Sequence, residues 1–128
     1  MAERLGNFIF FLALYSTLSS QKEMNNWYFG DGGGITFNTT PPSALTNGQI
    51  SQLEGCASIS DKNGNLLFYT SGEEIYDASH TIMPNGSGLA GNDISTQSGI
   101  IVPMPLSDSL YYVFTVKDWT KPGVGFAY

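Results

Sequence analysis

Between Leu53 and Val116 the chain never runs far without a Gly, Asn, Asp or Pro cluster. The text reads LEGCASISDKNGNLLFYTSG, then MPNGSGLAGNDISTQSGIIVPMP, then LYYVFTV. Apolar, β-branched and aromatic runs a few residues long, set between turn residues, predict short antiparallel strands joined by tight turns. None of these runs sustains a 3.6-residue period long enough to build a helix. The expectation is an all-β chain of short strands and hairpins.

Local reading places the elements. Asn26–Phe29 and Ile35–Phe37 read as two strands around Gly30-Asp31-Gly32-Gly33-Gly34, whose glycines permit positive φ. Pro41-Pro42 then breaks the chain, and residues 38–52 read as a loop with one short extended piece at Ala44-Leu45. Glu54–Ser60 and Leu66–Thr70 form the strongest hairpin, closed by Asp61-Lys62-Asn63-Gly64-Asn65. Apolar side chains on both faces of Leu66–Thr70 predict an inner strand. Glu73–Asp77 is read as a solvated hairpin edge and Met83–Leu89 as a turn-rich loop. Ile100-Ile101-Val102 lacks polar alternation and is expected to be buried on both faces, pairing with Leu110–Val116 in a second hairpin. Gly125–Tyr128 resembles the start of one more strand, so the chain reads as a truncated product or fragment.

Composition bounds the function. The chain has 128 residues, room for one domain at most, and only 12% are charged while 13% are aromatic. A formal charge of −6 argues against a nucleic-acid partner, which needs a basic footprint. At the N-terminus Arg4 precedes the apolar run Phe8–Tyr15, followed by Ser16, Thr17, Ser19 and Ser20. That order predicts a signal peptide over residues 1–20, a mature chain from Gln21, and no membrane span after cleavage. The run is about half of the roughly 20 residues a spanning helix needs. No Cys follows it, which argues against a lipid anchor, and export predicts a secreted or cell-surface protein.

Candidate chemistry is sparse. Cys56 is the only cysteine, so no internal disulfide is available; it alternates with Ser58 and Ser60 on one strand face and reads as a small packed side chain. A nucleophilic role would want a basic histidine, and the single His80 stands in a separate loop. Gly30–Gly34 lacks the Lys and following helix of a phosphate loop. Asp61, Asn63 and Asn65 alternate as oxygen ligands do at the start of a calcium loop. Here Gly64 falls at position four and Gly72 stands where the bidentate Glu belongs, so the segment reads as a turn. Glu54, Glu73, Glu74 and Asp77 are the acidic candidates for glycosidase chemistry, but no pair has a spacing that selects a mechanism. No cofactor is called for.

Four segments together, NNWYFGDGGGITFN with the three quoted above, resemble the amino-terminal region of large secreted surface proteins of Bacteroidetes. These are gliding-motility-associated or PKD-domain proteins exported by the type IX secretion system. The resemblance covers Asn25 to Tyr128 and implies the opening one or two blades of a β-propeller-like domain, residues 21–128, with the rest of the propeller in a longer chain. The family's PKD modules and sorting domain have no counterpart in these residues, and the resemblance carries over no catalytic residue. Asp108-Ser109-Leu110 also resembles the short O-glycosylation acceptor motif of that phylum, with Ser109 as acceptor, though Asp108 and Ser109 are ordinary turn residues too.

The function expected is therefore non-catalytic: an adhesion or scaffold module whose partner is an extracellular glycan or a surface protein. Trp27, Tyr28, Tyr76 and Trp119 are the aromatic candidates for stacking on sugar faces. The alternative is part of a polysaccharide-degrading propeller enzyme. A further reading takes the chain as a fragment without independent function.

Overall fold

The computed structural model describes residues 21–116 and 126–127; residues 1–20, with the expected signal peptide, and Trp119 lie outside them. Ten short strands build three antiparallel sheets, and the described residues contain no helix. The first sheet is β1 (Asn26–Tyr28), β2 (Gly34–Thr36) and β3 (Ser43–Leu45). The second is β4 (Ala57–Ser60), β5 (Leu66–Thr70), β6 (Glu74–Asp77) and β7 (Ile82–Ser87). The third is β8 (Gly99–Pro103), β9 (Tyr111–Val116) and β10 (Phe126–Ala127). Strands in each sheet follow chain order, so every sheet is an up-and-down meander. Their first strands lie against one another, β1 on β4 and β4 on β8.

The turns have identifiable causes. Asp31 and Gly32, with φ of 58° and 70°, occupy the centre of the β1–β2 reversal, where Gly33 N–H donates to Gly30 O. Positive φ at both central positions is the geometry that matches strand twist, which explains Asp-Gly at that point. Gly72, with φ 85°, is required for a second reason: a Cβ there would overlap Ser98 Oγ.

The core is one aromatic column. Tyr69, with no exposed surface, stacks on Tyr28 of the first sheet at 4.5 Å and on Tyr76 of its own sheet at 5.3 Å. Ile50 is buried beside them. On the other face of β5, Phe68 meets Tyr111 of the third sheet edge-on at 5.4 Å. The expected inner strand Leu66–Thr70 is therefore found, flanked by β4 and β6 and packed on both faces. The Ala44-Leu45 piece, both hairpins and the terminal strand also form.

A small polar row joins the first two sheets. Cys56 Sγ donates to Tyr28 O (3.3 Å), Ser58 Oγ to Asn26 O (2.7 Å), and Asn26 Nδ2 to Ser60 Oγ (2.9 Å). These residues share one strand face, as their alternation predicts, and they are small because β1 passes directly over them.

Three expectations are corrected. Glu73–Asp77 is no solvated edge: β6 runs between β5 and β7 with every residue half-buried. Met83–Leu89 is no loop but largely strand β7, the edge of the second sheet, where a missing Pro84 N–H costs little. The turn signal of Asn85-Gly86 is absorbed by a bulge opposite Glu74–Tyr76, with Asn85 at φ 61°. Ile100-Ile101-Val102 is not buried on both faces. Ile101 is half-buried while Ile100 and Val102 are 45% and 39% exposed. Their register partners Phe114 and Tyr112 share that face, so the run leaves one side of the third sheet apolar and open.

Removing the centre of the column tests its weight. Tyr69→Ala is expected to lower unfolding free energy by about 3–5 kcal/mol in urea denaturation, the usual range for deleting a buried aromatic. Exposed Leu53→Ala should stay within about 0.5 kcal/mol. Equal losses for the two would mean that the column does not organise the fold.

Candidate functional site

Two five-residue turns of the second sheet share one construction. In Asp61–Asn65, Asp61 N–H donates to Asn65 O and Gly64 N–H to Asp61 O. In Asp77–Thr81, Asp77 N–H donates to Thr81 O and His80 N–H to Asp77 O. Each leading Asp caps its own turn: Asp61 Oδ1 accepts from the Asn63 and Asn65 amides, and Asp77 Oδ1 from those of Ser79 and Thr81. The fourth position is left-handed in both, Gly64 at φ 90° and His80 at φ 63°.

Histidine in a slot that glycine fills in the sister turn costs roughly 1 kcal/mol. Its ring is well placed. Nε2 lies 2.6 Å from Asn47 Nδ2 and Nδ1 lies 3.1 Å from the Tyr69 hydroxyl, which also accepts from Gln49 N–H at 3.1 Å. Asn47 in turn accepts from the Tyr28 hydroxyl at 3.1 Å. His80 thus ties the second sheet to the chain leaving the first. Both turns carry the same sequence signal, the repeated frame Asp-x-Asn/Ser-x-Asn/Thr.

The aromatic glycan candidates do not form one platform. Tyr28 and Tyr76 sit on either side of Tyr69 inside the column. Trp27 points from the opposite face of β1; it is 48% exposed, meets Phe37 edge-on at 5.1 Å and donates Nε1–H to Met24 O. Burial raises the Tyr28 and Tyr69 phenols. Tyr76 is pushed to about 12, by burial first and then by its hydrogen bond to Glu74.

The acidic candidates are dispersed. Glu54 accepts from Thr96 Oγ1 (2.9 Å), Glu74 holds the Tyr76 hydroxyl, and the Asp77 carboxylate is taken up by its turn. Asp61 has both oxygens engaged, Oδ2 by Asn65 Nδ2, and these bonds, the Asn65 side chain first, lower its carboxyl. Asp61, Asn63 and Asn65 therefore close a turn, and no set of three His, Cys, Asp or Glu among the described residues could hold a metal. Cys56 is half-buried, burial pushes its thiol up, and His80 is bonded elsewhere; nothing among the described residues activates it as a nucleophile. Ser109 lies exposed in the Ser107–Leu110 turn, where Ser107 Oγ accepts from the Ser109 and Leu110 amides.

Among the clefts that the described residues line, three lie at or near the junctions of the sheets. One of about 360 Å³ lies where β1, β4 and β8 meet, with Trp27, Cys56 and Ile100 on its wall. One of about 520 Å³ is an apolar groove between Phe68 and Leu110. The third, about 320 Å³, runs between the second and third sheets beside Glu23, Asp61, Asp108 and Tyr111. Glu54, Glu73, Glu74 and Asp77 line none of the three. Comparison with protein-family models, curated proteins and solved structures returned no match.

Two outcomes test this geometry. His80→Gly relieves the left-handed strain yet should still lose about 1–3 kcal/mol of unfolding free energy, because Asn47 and Tyr69 lose their partner. A variant as stable as the parent would show that the ring bonds contribute nothing. The Ser79 hydroxyl first, then the Thr81 amide, hold the Asp77 carboxyl at about 2, below the unfolded value of about 3.9. A depressed folded value stabilises above about pH 4 and is lost as pH falls from about 4 to about 2. Asp77→Asn should lower the melting temperature near neutral pH and flatten its fall across that acid window.

Proposed function

We propose that this chain is a non-catalytic segment of a secreted or cell-surface β-propeller-like domain, acting as an adhesion or scaffold module whose partner is an extracellular glycan or a surface protein. The observation that carries the reading is the arrangement of three consecutive meanders with their first strands side by side. Propellers repeat such sheets around a central channel. The segments that resemble gliding-motility-associated surface proteins, and the signal-peptide pattern of residues 1–20, support the same placement. The open apolar side of the third sheet supports a stack that continues beyond it.

The placement of the carboxylates supports the non-catalytic reading. A glycosidase needs two of them about 5–10 Å apart across a bound sugar, whereas Glu54, Glu74 and Asp77 are each committed to a hydrogen bond and Glu73 lines none of the clefts described above. Ser109, exposed in a turn, is the proposed O-glycosylation acceptor.

The test is to expose the full chain to an array of extracellular polysaccharides and to follow both retention and new reducing or unsaturated ends. Retention without product is the expected outcome. Product release that scales with protein and disappears in Glu54→Gln or Glu73→Gln would establish the enzyme alternative instead.

A further inference from the structure

Each sheet carries two aromatic rings on adjacent residues, and alternation along the strand sends one to each side. In the first sheet Tyr28 reaches Tyr69 while Trp27 points the other way. In the second, Tyr69 turns back to Tyr28 and Phe68 forward to Tyr111. In the third, Tyr111 meets Phe68, and Tyr112 points outward beside Phe114, ring on ring at 5.9 Å. The series along the stack is thus Trp27 and Tyr28, Tyr69 and Phe68, Tyr111 and Tyr112. Every inner ring is met by a ring of the next sheet. Trp27 and Tyr112, the latter 40% exposed, are the two ends left over.

Both ends are apolar. On the first sheet exposed Phe37 meets Trp27 edge-on, and Ile35 is the register partner of Trp27. On the third, exposed Ile100 and Val102 share the face of Tyr112. No charged residue occupies a described strand position on either face. The ends also approach one another. Trp27 and Ile100 line a single cleft of about 360 Å³, together with Ala57 and Ile59 of the intervening β4. Three sheets joined at their first strands, with both outer faces reaching one cleft, form an arc rather than a straight stack. The cleft lies on the inner side of that arc. Each end calls for the kind of face that the other end presents, as Phe68 calls for Tyr111 within the chain. A second copy supplies both faces, and two arcs of three sheets give six, within the four to eight that close a propeller.

We propose that two copies of this chain close head to tail into a ring of six sheets, Trp27 of each packing on Tyr112 and Ile100 of the other. The proposal rests on the propeller-like reading and goes beyond it by naming what completes the ring. The contact is heterologous, joining two different faces, and it closes after two copies, so that both ends of both chains are covered at once. Each pair has two seams, which doubles the apolar area that a single sheet face could bury. In the ring, inner strands of both copies wall the cleft, which becomes a channel along the axis. Trp27 is then a seam residue and not a platform for sugar.

Sedimentation velocity and light scattering on the full chain, across a wide range of concentration, test it. One species of twice the chain mass is expected. Trp27→Glu and Tyr112→Glu should each weaken association at least about a hundredfold, because each disrupts both seams at a central aromatic. Both side chains are part-exposed, so the far-UV circular dichroism of the parent should be retained. Phe37→Glu and Ile100→Glu, on the same two faces, take their place should either variant fail to fold. Mixing the Trp27→Glu and Tyr112→Glu chains should restore a one-to-one pair. The intact Tyr112 of the first still meets the intact Trp27 of the second, in one seam instead of two.

A dimer that survives either substitution would overturn the proposal, because the contact would then run through like faces or through another part of the chain. Mass that climbs with concentration past two copies would also overturn it, since the seams would then build an open filament. A folded monomer at every concentration would remove the second copy and leave the propeller-like reading in place, to be completed by further sheets of a longer chain. Loss of β-structure in the parent chain itself would remove that reading and the ring together.

Discussion

A single buried ring, Tyr69, holds the described fold in register. It has stacking partners on either side, Tyr28 from the first sheet and Tyr76 from the next strand of its own, and its hydroxyl reaches both Gln49 and His80. Each aromatic pair adds roughly 0.5–1.5 kcal/mol beyond burial. The larger consequence is geometric. A ring fixed on both faces and at its tip permits only one placement of the first sheet on the second. Phe68, one residue earlier, faces the other way and sets the third sheet through Tyr111. The alternation of β5 therefore organises two interfaces from adjacent residues.

The low charge of the chain follows from how the sheets are joined. Between β1 and β4 the contacts are thiol, hydroxyl and amide groups bonded largely to backbone: Cys56 to Tyr28 O, Ser58 to Asn26 O, and Asn26 Nδ2 to both Ser60 Oγ and Gly64 O. Short neutral side chains lose little rotamer entropy and carry no ionic desolvation cost. Glycines serve the same close approach at Gly72, which rests against Ser98. Charged residues would have no room in such a seam, and Asp61 and Asp77 cap turns outside it instead.

The legible part of the fold was the part governed by local rules. Asp-Gly and Asn-Gly reversals, the two-sided apolar strand Leu66–Thr70 and the hairpin that pairs Ile100 with Phe114 depend on residues close in sequence, and all are found. What the pattern could not carry was position within a sheet. Pro84, Asn85 and Gly86 signal a turn in isolation, yet an edge strand tolerates them, and only the pairing with β6 reveals that β7 is an edge. Ile100-Ile101-Val102 has the composition of a doubly buried strand, but Ile100 and Val102 remain exposed. The site was less legible still. His80 stands alone in its loop, and its role comes from Asn47 and Tyr69, which lie elsewhere along the chain.

Most of the carboxylates that the sequence offered are taken up by local structure. Asp61 and Asp77 are consumed by equivalent turns, Glu54 by Thr96 and Glu74 by Tyr76, so each has a local partner that accounts for its presence. Such groups can be acidic without being available. A residue retained for its environment rather than its turn should break a local pattern, and His80 does so by occupying the left-handed slot that Gly64 fills in the sister turn. The partners of His80 explain it fully, which makes it a structural latch. Glu23 is anchored through its backbone, with Ser60 N–H donating to Glu23 O, and its Oε2 is enclosed without a donor among the described residues.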